Sequence, residues 1–252
     1  MVLNIPILSN VLFGPFNALA NGIYKRADAI CAVSNTYCQR AKSVNSKCTE
    51  TTTVFLGTEL TTFDRYATEN RIAEKPSGEI WLGYCGTLGT SYDLPIVFKA
   101  MKVINISSLR FIIMGDGPRK DEFRHLAEGL NVTFTGLLNY RQMCGMLQAC
   151  DIVVNPIVGT SAATIINKHA DYAASGKPVI NTQKSEEYRK LIELYQMGFN
   201  CSDVNELSQR LKQLVRDEAL RIQLGKNARN CAERMFDRKI TYQNIVRLIT
   251  DN

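Results

Sequence analysis

Histidine and tryptophan are nearly missing from this chain, which holds two of the first, His125 and His169, and one of the second. So few histidines exclude a His-rich metal centre, and no Ser-His-Asp or Cys-His arrangement follows from the spacing. The eight cysteines contain no C-x-x-C pair, which with the lack of a His cluster excludes a zinc site of the usual spacing. Several lie in apolar runs such as Ile30-Cys31-Ala32-Val33 and Tyr84-Cys85, where a thiol acts as a small hydrophobe. Reduced thiols in a cytosolic protein are the expectation, so the sequons at Asn105 and Asn131 carry no glycan. Met1–Tyr24 has no charged side chain and Met1 is followed by no basic segment, so no secretory signal is read. The same stretch is interrupted by Asn4, Pro6, Asn10, Gly14, Pro15, Asn17 and Asn21, against the continuous apolar run of a spanning helix. Packing on another protein surface is the favoured role for it, with peripheral membrane contact left open. Nor is there much excess charge, since 30 Lys+Arg against 24 Asp+Glu leave +6. Its densest basic stretch, Arg210, Lys212 and Arg216, interleaves with Leu207, Leu211 and Leu214 as a solvated helix face, and no nucleic-acid partner is expected.

What remains is ordinary for a globular chain of 252 residues, 45% hydrophobic and 21% charged. Short apolar runs alternate with longer amphipathic ones. Strands are predicted at Ala29–Val33, Thr53–Leu56, Ile80–Cys85, Arg110–Met114, Val132–Thr135, Ile152–Asn155 and Pro178–Asn181, most of them β-branched or aromatic and bounded by Gly, Asn, Asp or Pro. Helical faces fall between them, among them Leu94, Val97, Phe98 and Met101, then Phe123, Leu126 and Ala127. The alternation predicts an α/β fold, a Rossmann-like parallel sheet with helices on both faces. Five strands from Ile80 to Asn181 form one unit, the polar Thr58–Gly78 segment reads as a linker, and the chain beyond Asn200 reads as helical.

In such a sheet ligands bind beyond the carboxyl ends of the strands. Four loops lie there. Gly86-Thr87-Leu88-Gly89-Thr90-Ser91 suits close approach of a phosphate to the backbone, although a plain strand-to-helix turn explains it equally well. In Gly115-Asp116-Gly117-Pro118 a structural turn is favoured, with Pro118 suited to the first turn of the next helix. Gly136-Leu137-Leu138-Asn139-Tyr140 offers backbone groups to a base edge or is an ordinary connection. The fourth, Gly159-Thr160-Ser161-Ala162-Ala163-Thr164, leads into a predicted helix from Ile165 to Tyr172 that ends near Gly176. Asn167 and Asp171 are four apart on it, as are Thr164 and Lys168, so neighbouring residues can address one ligand. Lys168 suits a phosphate and Asp171 ribose hydroxyls; the competing reading is a surface ion pair between these two.

In this order the segments resemble the donor-binding, C-terminal half of GT-B glycosyltransferases of family 4. The resemblance is carried by Ala27–Ser34, Phe55–Glu59, Tyr84–Leu88, Met114–Pro118, Phe134–Gly136, Gly225–Arg229 and Phe236, and most closely by Asn167–Ile180. It implies a remnant of the acceptor-side domain and linker at 1–57, a nucleotide-sugar donor-binding Rossmann-like domain at 58–235 and a C-terminal helix at 236–252. Asp171 matches the second acid of the family's Glu-x7-Glu pair, expected at the ribose. The first acid falls on Ala163, so that carboxylate is absent, and Thr87 and Ser91-Tyr92-Asp93 stand where the family usually has Arg and Lys.

The function implied is transfer of a hexose-like sugar from a UDP- or GDP-sugar to a saccharide or lipid-linked acceptor in polysaccharide biosynthesis; a cytoplasmic location is expected, with peripheral contact at the inner membrane face left open. The implied donor site takes Gly86, Thr87 and Leu88 of the first loop, Gly115 of the second, Gly136 and Leu137 of the third, and Ser161, Ala162, Ala163 and Thr164 of the fourth, with Lys168 and Asp171. No catalytic residue is named, and no cofactor or metal is demanded, because cations and helix N-termini neutralise a leaving diphosphate. The acceptor half lies outside the matched stretch, so either the chain is a fragment or a partner chain supplies the missing N-terminal domain. A non-catalytic nucleotide-sugar-binding subunit that needs such a partner is the alternative reading.

Overall fold

The computed structural model describes residues 6–72, 75–159 and 164–250, and the chain divides into two compact units, Met1–Phe55 with Ile240–Asn252 and Leu56–Lys239. The first unit begins with α1 (Pro6–Lys25) and continues through β1 (Ala29–Ala32), α2 (Asn35–Lys42) and β2 (Glu50–Thr53). The strands pair in parallel from Ala29↔Glu50 to Ala32↔Thr53. Ile30, Cys38, Ala41 and Cys48 form its small buried cluster, and Ser34 caps α2 by accepting from the Tyr37 amide at 3.2 Å. The strand predicted at Thr53–Leu56 is instead Glu50–Thr53. Its partner in β1 selects the β-branched threonines, while Val54 and Phe55 continue as buried chain beyond the last ladder bond, from Val54 N to Ala32 O at 2.9 Å. Cys31 also departs from expectation: it is exposed, whereas the other seven cysteines are buried. Among the described residues no helix is long and apolar enough to cross a membrane.

In the second unit the predicted linker hides a helix, α3 (Leu60–Glu69), with Leu60, Phe63 and Ala67 buried. Its apolar stripe is only three residues wide in a polar segment, so composition conceals it. The chain then alternates β3 (Ile80–Cys85), α4 (Leu94–Ile104), β4 (Leu109–Met114), α5 (Lys120–Leu126), β5 (Val132–Gly136), α6 (Tyr140–Ala149), β6 (Ile152–Asn155), α7 (Asn167–Ala174), β7 (Val179–Asn181), α8 (Glu186–Tyr195) and β8 (Gly198–Asn200). Helices α9 (Val204–Arg216) and α10 (Glu218–Cys231) follow, then a π turn over Ala232–Phe236 and the short helices α11 (Arg238–Thr241) and α12 (Gln243–Thr250), the last within the first unit.

The sheet has six parallel strands in the order β5-β4-β3-β6-β7-β8, one more than predicted. The sixth, β8, is three residues long and opens on a glycine, too weak a pattern to read locally. The pairing needs that glycine: a Cβ at Gly198 would lie 1.9 Å from the Val179 carbonyl oxygen. Strand residues bury alternately on both faces. Leu82, Tyr84, Phe111 and Ile113 join α4 and α9 in the larger cluster, while Cys85, Ile112, Val153 and Val179 are buried on the other side. Asp93, Asn139, Asp203 and Asp217 cap α4, α6, α9 and α10 by accepting backbone N–H bonds, which fixes where each loop hands over to its helix.

Candidate functional site

The carboxyl ends of β3, β4 and β5 are locked together by their loops. Gly86 N donates to Met114 O and Gly115 N to Gly136 O, both at 2.9 Å, and Leu88 N donates to Asp116 O at 2.8 Å. A Cβ at Gly115 would lie 1.9 Å from Gly86 O, so this contact of two turns admits no side chain there. Leu88 is seated in the core with its amide spent on the neighbouring loop. The Thr87 amide, between these two engaged residues, meets no acceptor among the described residues.

These turns wall a cleft of about 490 Å³. It is lined by Gly86, Thr87, Gly115 and Leu137 from the sequence-derived set and by Lys168 and Asp171 of α7. Gly136 stands behind it at φ +75°, and Leu137 is 78% exposed at its rim. Thr164 is buried and lies outside the lining, its carbonyl accepting from Gln183 Nε2 at 2.7 Å. It also lies ahead of the helix, which starts at Asn167 rather than Ile165, so Thr164 and Lys168 do not share a helical face. Ser161, Ala162 and Ala163 fall outside the described residues.

Lys168 is the least ordinary group in the cleft. It is 8% exposed, and its Nζ has no hydrogen-bond partner among the described residues. Instead it lies 4.3 Å from the ring centroid of Tyr84 and 3.9 Å from that of Tyr92. Burial pulls its pKa down to about 8, because a charge removed from water is disfavoured. No ion pair joins it to Asp171 among the described residues. Asp171 accepts a hydrogen bond from Tyr140 Oη at 2.9 Å, and Tyr140 in turn meets the Thr58 hydroxyl at 2.6 Å. Burial lifts Asp171 to about 6 despite those bonds, which oppose the shift. A surface pair is therefore the wrong description of these two charges.

His169, beside Lys168 in sequence, serves the fold. It is fully buried, stacks on Tyr188 at 3.4 Å with the rings 1° from parallel, and accepts the Ile166 amide on Nδ1 at 3.3 Å at the start of α7. Burial and the adjacent Lys168 charge hold it far below the usual histidine pKa, as neutral imidazole. Buried amides tie the carboxyl ends of β6, β7 and β8. Asn155 Nδ2 donates to Asn181 Oδ1 at 2.8 Å and Gln183 Oε1 at 3.0 Å, and Asn181 Nδ2 donates to Asn200 Oδ1 at 2.9 Å. Through Gln183 this network holds Thr164 and with it the approach to α7. Among the described residues no cluster of metal-ligating side chains occurs. A second groove of about 590 Å³ runs between α3 and α6, but its Asp64 and Lys75 are already paired, with Arg229 and Asp151.

The family described as glycosyl transferases group 1 matches residues 79–217, the stretch that builds this cleft. The chain belongs to the group 1 glycosyl transferases. It is 26% identical over 156 residues to the sulfoquinovosyl transferase SQD2 of Arabidopsis thaliana, an alignment covering 60% of this chain and 29% of that protein. Among solved structures, Anabaena Alr3699/HepE in complex with UDP matches at a TM-score of 0.78 and 18% identity, covering 93% of this chain and 67% of that one. Sucrose-phosphate synthase from Thermosynechococcus elongatus matches at 0.70 and 20% identity, covering 93% and 60%. These likenesses concern the fold, which is that of GT-B glycosyltransferases, and the chain spans under a third of the plant relative's length. Sequence reasoning left Tyr92, Tyr140 and the lining residues Met143 and Ile166 out of the site. Tyr140 was legible only as the last residue of the third loop. Tyr92 stood out only as part of the segment that lacks the family's usual cation, and its contact with a lysine of another helix could not be read locally.

Proposed function

We propose that residues 58–235 are the donor-binding portion of a glycosyltransferase that moves a sugar from a nucleotide sugar to a saccharide or lipid-linked acceptor. The observation that carries this reading is the buried, unneutralised Lys168 ammonium facing the Gly86 turn in the same cleft as Asp171. A diphosphate between them would accept from Lys168 and the Thr87 amide, and ionised Asp171 would accept from ribose hydroxyls. When the anomeric C–O bond breaks, charge builds on the departing phosphate oxygen, and Lys168 stabilises it in a water-poor site. The Anabaena neighbour, which was solved with UDP and with UDP-glucose, makes a uridine diphosphate the first ligand to try. The family resemblance adds retention at the anomeric carbon, polysaccharide synthesis in the cytoplasm at the inner membrane face, and a hexose as the sugar.

A second reading is a nucleotide-sugar-binding subunit whose acceptor side comes from a partner. Ala163 in place of the first acid of the Glu-x7-Glu pair favours it. Calorimetric titration with UDP, GDP and their sugars tests both readings. Binding is expected, with a loss of about 100-fold on Lys168→Ala, since a buried charge-assisted contact is worth roughly 3 kcal/mol. Binding unaffected by Lys168→Ala and Asp171→Ala would sink the site, and turnover by this chain alone would sink the subunit reading.

A further inference from the structure

We propose that Tyr92, backed by Tyr84, is a positioning residue whose ring holds the Lys168 ammonium in place of a carboxylate, so that a diphosphate meets a cation with no acidic partner to displace. The proposal rests on the donor-binding reading of the cleft and adds to it how the cation is held.

The two phenol rings are edge-packed, 5.7 Å apart at 67°, and both lie within about 4.3 Å of Nζ. Each is fixed from elsewhere. Tyr84 is a fully buried β3 residue whose hydroxyl donates to Thr87 O at 2.8 Å. Tyr92 donates its amide to Gly89 O at 3.3 Å and bridges Ile157 beyond β6. The ammonium is thereby pressed against the first glycine turn, so closely that a Cβ at Gly86 would lie 2.6 Å from Nζ.

Among the described residues no charged group pairs with Nζ. From β3 come Tyr84 and Cys85, the latter pushed up to about 11 by burial and so a neutral thiol. From the first loop comes Tyr92, and from α7 the neutral His169 and, one turn on, Asp171, bonded to Tyr140. Asp116 on the cleft wall is paired with Lys120 at 2.6 Å. A π face attracts an ammonium through the ring quadrupole and leaves its N–H donors unspent. A buried carboxylate would hold it more firmly, and a ligand would first have to displace that partner.

The test is calorimetry on the full chain with UDP and GDP, and with uridine and guanosine at millimolar concentration, at pH 7 and pH 9. For the wild type, diphosphate affinity should fall about tenfold between the two pH values as Lys168 loses its proton, with nucleoside affinity unchanged. Tyr92→Phe keeps the ring and should behave as wild type. Tyr92→Leu should weaken diphosphate binding about tenfold at pH 7 and leave nucleoside binding alone. Equal weakening of nucleoside and diphosphate, or no weakening, would overturn the cage, as would Tyr92→Phe failing like Tyr92→Leu. Should Tyr92→Leu not fold, NMR of the wild type decides: ring currents must move the Lys168 ε-methylene resonance, identified by its loss in Lys168→Met, well away from the unstructured value, and an unshifted resonance overturns the proposal. A wild type that binds neither nucleotide instead overturns the donor-binding reading itself.

Discussion

The two ends of the same parallel sheet treat their charges in opposite ways. At the amino ends of β3, β4 and β6 the charges of Glu79, Arg110, Lys75 and Asp151 are answered. Arg110 grips Glu79 through two bonds, at 2.6 and 2.8 Å, Trp81 Nε1 donates to the same carboxylate at 2.7 Å, and Asp151 takes both Lys75 and the Trp81 amide. At the carboxyl ends Lys168 is buried with aromatic rings for company, and among the described residues Asp171 is bonded by hydroxyl donors, with the Arg238 charge acting only as a minor influence. The first arrangement ties strands together. The second leaves two desolvated charges with interactions in hand, as functional sites do when they give up stability for readiness.

Removing Lys168 should sharpen that contrast most. Its pKa falls from 10.5 to about 8, so the charged form is disfavoured by folding. A depressed lysine contributes stability above its unfolded value and loses it as pH falls through about 8. Lys168→Met should therefore stabilise the ligand-free protein at pH 7 by about 3 kcal/mol, at roughly 1.4 kcal/mol per unit, while weakening nucleotide binding. Urea unfolding at pH 7 and above pH 10 checks it, the gain vanishing at the higher pH. A destabilised variant would erase the contrast between the two ends.

Asp171→Asn should act in the same direction and less strongly. Because folding lifts this carboxyl from 3.8 to about 6, its ionised form costs stability once pH rises through 6, and none below 3.8. A gain of just under about 3 kcal/mol is expected at pH 8 and none at pH 3.5. Nucleotide affinity of the wild type should fall below pH 6 as the carboxylate takes up a proton. Thermal melts and titrations across that range measure both.

Glu79→Gln should move stability the other way by the smallest amount, about 1 kcal/mol, since the pair with Arg110 is only partly buried. Glu79 is held near 2 chiefly by the Arg110 bond, so its contribution is complete above 4.5 and fades as pH falls toward 2. Nucleotide binding should not change. A loss of binding on Glu79→Gln would mean that the two ends are coupled and the comparison false.

Much of the layout was legible from local pattern. Ile80–Cys85 and Ile152–Asn155 match the strands residue for residue, because continuous apolar runs between turn residues have few other uses in an α/β chain. Helix α3 and strand β8 were not legible: one has three buried residues in a polar segment, the other three residues paired only because β7 lies beside it. The cleft divides the same way. The glycine turns and the paired positions of Lys168 and Asp171 on one helix could be read from spacing. That Leu88 belongs to the core and that the two charges never meet could not.

Order along the chain thus specified the alternation of strands and helices, the four loops at the strands' carboxyl ends and the family, since each is written in neighbouring residues. The state of Lys168 was settled only in three dimensions. Its charge, its reach and its lack of a counter-ion depend on Tyr84 and Tyr92, which a parallel crossover brings against α7. Burial is a property of the assembled neighbours, and no local pattern carries it.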